Sequence, residues 1–143
     1  MIGTLQRNKV RKILPFVSRI HSIDSVTLAE AVDRIAEEEN LLPVNVLVEV
    51  AVSGEETKHG FTPTEIPAVL EKLFRLKNIS VKGLMCMAGL HADDAETRRQ
   101  FETVRQLAEP FSLAELSMGM SDDFEIAVEE GATLVRVGSL LYR

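Results

Sequence analysis

Apolar residues along the chain follow two alternating patterns. Short runs rich in β-branched residues read as strands, and longer stretches with apolar positions three and four apart read as helices. Residues 6–17 have helical spacing, with Val10, Ile13 and Leu14 on one side. Residues 19–23 form a short strand, after which Asp24 or Ser25 can cap a helix carrying Leu28, Ala29, Val32, Ile35 and Ala36. That helix runs into Glu37, Glu38 and Glu39, whose charges oppose the macrodipole and mark a solvated, fraying end. Residues 44–52 make the strongest strand, nearly continuous in apolar residues as in a strand covered on both faces. Thr62 as N-cap, Pro63 at the first helical position and Glu65 completing a capping box then predict a helix presenting Ile66, Val69, Leu70, Leu73 and Phe74. Residues 79–87 are a strand with Gly83 loosening its middle, and a helix from Asp93 to about Leu107 is stopped by Pro110. The pattern closes with a strand over 113–117, a short helix over 122–130 capped by Gly131, and a last strand over 133–137.

Strands that alternate with helices over short connections imply parallel βαβ units. The fold class is therefore α/β, with a parallel sheet of about five strands and one domain over residues 1–143. Two architectures fit: an open doubly wound sheet, or the C-terminal part of a (β/α)8 TIM-type barrel, which when complete needs about 200–250 residues.

Composition narrows the partners. A net charge of −6 disfavours nucleic acid, whose phosphates need a basic face. No run approaches the roughly 20 apolar residues of a membrane span, and the first residues lack a secretory pattern, so a cytoplasmic protein is expected. Cys86, the one cysteine, reads as a small buried hydrophobe. His21, His59 and His91 are far apart with no carboxylate at ligand spacing, so no metal site is expected.

The candidate chemistry lies near the C-terminus. Ser117, Met118, Gly119, Met120 and Ser121 stand where a strand gives way to a helix. Gly119 permits a tight turn or close approach of a ligand, and Ser121 or Asp122 can cap the helix, whose N–H groups attract an anion. The next strand ends in Arg136, Val137, Gly138 and Ser139, so two adjacent strand ends carry Gly and Ser in the manner of a phosphate cradle. Val135 and Val137 share one face, which turns Arg136 to the other. No catalytic dyad is apparent; Asp122 and Asp123 read as favourable charges at a helix start.

These residues resemble the pyridoxal phosphate homeostasis proteins, barrels similar to the N-terminal domain of alanine racemase. The shared motifs are Ile2-Gly3-Thr4-Leu5-Gln6-Arg7-Asn8-Lys9, His21-Ser22-Ile23-Asp24, Ser53 to Gly60, Gly83-Leu84-Met85, Ser117 to Asp123, and Val135 to Ser139. The resemblance implies pyridoxal 5′-phosphate (PLP) as cofactor and a non-catalytic role in vitamin B6 homeostasis. It places Ser117, Gly138 and Ser139 at the phosphate and Arg136 at the pyridine nitrogen, with Met118 and Gly119 also among the cofactor-binding residues. Some features depart from the family. Its Schiff-base lysine lies upstream of the Ile2-Gly3 motif, so the chain reads as N-terminally truncated, without strands one, two and most of three. Lys58 reads as a solvated loop residue, Ala51 stands where relatives have asparagine, and Leu141-Tyr142-Arg143 lacks the family's following glycine. Weak, non-covalent PLP binding and self-association through exposed strand edges are the resulting expectations. The alternatives are a remnant that binds no cofactor, a piece completed by another chain that supplies the lysine, and a generic phosphate-binding open-sheet module.

Overall fold

The computed structural model describes residues 1–41, 43–54 and 59–142. Four parallel strands, β1 (Arg19–Ile23), β2 (Val44–Val50), β3 (Ile79–Cys86) and β4 (Glu115–Ser117), lie side by side in sequence order. Between them run helices α2 (Val26–Glu38), α3 (Ile66–Leu73) and α4 (Asp94–Ala108), with α1 (Val10–Ile13) before β1 and α5 (Phe124–Glu129) after β4. Each crossover adds its strand on the same side of the last. With the usual right-handed connection, that stacks the helices on one face of the sheet.

The side-chain pattern agrees. Ile20, Ile23, Val44, Val46, Val48, Val50, Ile79, Leu84, Cys86, Leu116 and Met118 join the helices' Leu28, Val32, Leu70, Phe101 and Val104 in one core. The alternate strand positions (Arg19, His21, Asn45, Leu47, Glu49, Gly83, Met85, Glu115 and Ser117) point to the other, inner face.

Local signals explain most boundaries. Ser25 caps α2 by accepting the Leu28 N–H at 3.2 Å, and Asp93 caps α4 by accepting that of Glu96 at 2.8 Å. Residues 7–16 form short 3-10 and α turns rather than one regular helix. The capping box at Thr62 is only half made. Glu65 reaches back to the Thr62 N–H at 2.8 Å, but the Thr62 hydroxyl donates to that same carboxylate, and α3 begins only at Ile66. Gly83 is required by close approach: a Cβ there would stand 1.7 Å from the Glu115 carbonyl oxygen of the neighbouring strand.

The expected fifth strand over 133–137 is corrected. The segment makes a single parallel bridge, Ser117 with Leu134. The Thr133 hydroxyl accepts the Leu116 N–H at 2.8 Å, the donor a ladder would have given to a backbone carbonyl. The outer edge of β1 is partly covered, because the His21 N–H donates to the Met1 carbonyl at 2.8 Å and the Ser22 hydroxyl to that of Gly3 at 2.6 Å. Among the described residues no helix is long and apolar enough to cross a membrane.

Candidate functional site

The inner face carries the polar groups that the core excludes. At its N-terminal end, Arg19 of β1 and Glu115 of β4 form an ion pair at 2.8 Å. At its C-terminal end, the Arg136 guanidinium donates three hydrogen bonds of 2.7 Å, to the Ser117 carbonyl, the Ser117 hydroxyl and the Cys86 carbonyl. The backbone holds the same arginine, whose N–H donates to the Gly119 carbonyl at 2.9 Å. Arg136 therefore clips the ends of β3 and β4 together, facing inward as the alternation of its valine neighbours predicts. The Ser117 hydroxyl, fully buried, also lies 2.9 Å from His21 Nδ1 on β1.

Charge and burial tune this face. His21 is pushed down from 6.5 to about 4, chiefly by desolvation and then by the positive charges of the Met1 amino group, Arg136 and Arg19. Glu49, only 5% exposed on β2, is raised by its burial and by nearby Asp24, against the smaller opposing pull of His59 and Arg136. Burial also lowers Arg136, with Asp123 and Glu49 among the groups that oppose the shift. Leu47 and Met85, both buried, supply the apolar floor between these polar groups.

The residues expected to hold a phosphate divide into two groups. Gly138 and Ser139 are exposed, and a Cβ at Gly138 would meet nothing within 4 Å, so this turn is open to a ligand. Ser121 does not cap α5. Its hydroxyl accepts instead from the Gly138 and Leu140 N–H groups at 3.2 Å each, joining the two loops. The helix start belongs to Asp123, whose carboxylate takes the Met120 N–H at 2.5 Å.

Ser117, Met118 and Gly119 are already engaged. The Ser117 hydroxyl lies between Arg136 and His21. The Met118 side chain is in the core, and its N–H bonds the Leu134 carbonyl at 3.0 Å. Gly119, at φ +89°, is a glycine because α5 packs on it: a Cβ would stand 2.6 Å from that of Ala127 and 2.9 Å from the Phe124 Cα.

The depression beside this turn, about 390 Å³, is lined by Asp94, Asp122, Asp123 and Glu125 with Ser121 and Leu140, a charge that repels phosphate. Lys58 lies outside the described residues, and the described lysines are all exposed. No group of three or more His, Cys, Asp or Glu able to hold a metal occurs among the described residues.

His21 and Glu49 are the inner-face residues that sequence reasoning missed as site members. Each stands between apolar neighbours in a strand pattern otherwise read for those neighbours, and the inward alternation was the available signal.

Comparison with known proteins gives a consistent picture. Residues 4–143 match the model of the alanine racemase N-terminal domain. A pyridoxal phosphate homeostasis protein of Aquifex aeolicus is 41% identical over 147 residues, covering 99% of this chain and 64% of the relative. The chain thus spans just under two thirds of that protein's length. The structure of PipY from Synechococcus elongatus without PLP superposes with a TM-score of 0.92 at 40% identity, over 99% of this chain and 68% of that one. Its PLP-bound form gives 0.87 at 38% identity over the same shares. Alanine racemase of Clostridium difficile, at 16% identity and a TM-score of 0.76 over 98% of this chain and 40% of its own, shares the fold.

Proposed function

We propose, from the premise that this chain belongs to the alanine racemase N-terminal domain family and within it to the pyridoxal phosphate homeostasis proteins, that it contributes the phosphate- and ring-binding wall of a non-catalytic PLP site serving vitamin B6 homeostasis. The sequential strand order, with helices on one face and a polar inner face, suits the C-terminal units of a (β/α)8 barrel better than a doubly wound sheet, where the order reverses.

The observation that carries the reading is Arg136, clamped by three hydrogen bonds beside the open Gly138–Ser139 turn. When bound, PLP supplies a ring that withdraws electrons most strongly with its nitrogen protonated. A guanidinium can only donate hydrogen bonds, so at that nitrogen it holds the unprotonated form. This chain's residues then bind and orient the ring without activating it. Phosphate recognition falls to the Ser139 hydroxyl and the backbone N–H groups of the turn. The described lysines are exposed, which supports non-covalent retention.

Parallel titrations with PLP and inorganic phosphate test the reading. Ser139→Ala is expected to weaken both ligands, and Arg136→Gln to weaken PLP while sparing phosphate. The loss in each case is about 1.5–3 kcal/mol, roughly tenfold to a hundredfold in affinity. Equal losses of both ligands in Arg136→Gln would move the arginine to the phosphate and end the ring-nitrogen role.

A further inference from the structure

We infer that His21 is a positioning residue: its Nδ1 accepts the Ser117 hydroxyl proton and so steadies the Arg136 guanidinium, leaving its Nε2–H to donate to an oxygen acceptor on the ligand. The inference deepens the PLP reading and rests on it for the ligand's identity alone.

Hydrogen-bond accounting supports it. Arginine only donates, so at 2.7 Å the Ser117 oxygen is an acceptor toward Arg136 and the single hydroxyl proton must go elsewhere. Ser117 is fully buried, and a buried hydroxyl without an acceptor is costly. His21 Nδ1, at 2.9 Å, is the acceptor at hand. An accepting Nδ1 leaves the neutral ring's proton on Nε2, which makes no hydrogen bond among the described residues. Neutrality also suits a ring surrounded by the positive charges of Arg19, Arg136 and the Met1 amino group.

The backbone adds an independent observation. Ile20 pairs with Val46 and Ile23 with Val48, so β1 spends three residues where β2 spends two. The resulting bulge falls on His21 and Ser22, and bulges of this kind re-aim a side chain beside a functional site. The Ser22 hydroxyl, tied to the Gly3 carbonyl at 2.6 Å, holds the bulge from its outer side.

Long-range proton–nitrogen correlation on the ¹⁵N-labelled chain tests the relay directly, whether or not a ligand binds. At a pH of about 6–7, near the imidazole's ordinary pKa, His21 is expected with a bare Nδ1 and a protonated Nε2, a pattern lost in Ser117→Ala. A proton on Nδ1, or an imidazolium in that range, overturns the inference. In binding, His21→Leu is expected to weaken PLP about tenfold and leave inorganic phosphate within about twofold. His21→Asn, which keeps an acceptor near the Nδ1 position but has no Nε2–H, should recover about threefold of that loss. PLP affinity unchanged in a folded His21→Leu would overturn the ligand-facing role. If the unsubstituted chain binds no PLP, the cofactor reading falls, while the nitrogen spectrum still decides the relay.

Discussion

Arg19 and Glu115 stand on the two outermost strands of the sheet, yet their side chains meet at 2.8 Å. Three strand spacings would separate β1 from β4 by about 14 Å in a flat sheet. His21 and Ser117 bridge the same pair of strands with much shorter side chains. The sheet is therefore strongly curled about its inner face, and the polar residues at its two edges become neighbours.

The ion pair is incompletely satisfied: Arg19 Nε and Glu115 Oε2 are buried without a hydrogen-bond partner among the described residues. With the two side chains 27% and 25% exposed, removal of one partner leaves a shielded charge. Glu115→Gln is expected to cost about 1–3 kcal/mol in urea unfolding, and Arg19→Met with Glu115→Leu together less than the sum of the single changes. Strict additivity would show that the cross-sheet contact contributes no coupling.

Stability should depend on pH through His21. Its folded pKa of about 4 lies below the 6.5 of an unperturbed imidazole, so between those values the unfolded chain binds more protons. The contribution is fully present above about pH 6.5 and is lost as pH falls through the window, until both states are protonated. Glu49, raised by burial, acts in the opposite sense, its share declining as pH rises through its shifted value. Urea midpoints measured across this range should therefore fall less steeply toward acid in His21→Asn than in the unsubstituted chain. Equal slopes would mean that His21 titrates alike in both states.

Two glycines should resist replacement for different reasons. Gly83→Ala drives a methyl group into the backbone of β4, which has no flexible end to move, and should unzip β3 from β4. Gly119→Ala combines a backbone at φ +89° with contact against Ala127 and Phe124, and should cost at least about 2 kcal/mol. Gly138→Ala, at an open turn, should leave the thermal midpoint nearly unchanged. A Gly83→Ala chain with native exchange protection at Ser117, which pairs with Met85 while Leu116 and Met118 turn their N–H groups to the 133–134 segment, would contradict this assignment.

Self-association is the last expected outcome. The segment over 132–136 covers β4 with a few hydrogen bonds, and Val135 within it and Leu141 and Tyr142 beyond it are exposed apolar side chains. An edge of this kind recruits another chain. Light scattering over a concentration series should show a mass that rises above that of the 15.9 kDa monomer, and Val135→Lys should suppress the rise. A constant monomer mass would show that the residual pairing suffices to close the edge.

The sequence was most legible where one short-range rule decides the structure. The β-branched run at Val44–Val50 and the caps at Ser25 and Asp93 place their elements within a residue or two. The run at 133–137 was misleading because strand propensity says nothing about whether a ladder partner is free, and here the Thr133 hydroxyl takes the Leu116 N–H. The inward turn of Arg136 followed from alternation. Its three acceptors did not, because Cys86 lies 50 residues away and joins it only through the order of β3 and β4. His21 and Ser117, 96 residues apart, meet through curvature, which no local pattern encodes.

The irregular register of β3 has a stereochemical consequence. Val46 pairs with Val81 and Leu47 with Gly83, so Lys82 is an extra residue that β2 does not match. Before it the odd-numbered residues of β3 face the helices; after it the even-numbered ones do, which is why Leu84 and Cys86 reach the core and Met85 does not. Lys82 thus inverts the parity of the strand. A β3 of the same length held in strict alternation, with no bulge at Lys82, would bury the Met85 thioether among the helices and turn the Cys86 thiol toward the Arg136 side, exchanging an inert floor for a nucleophile.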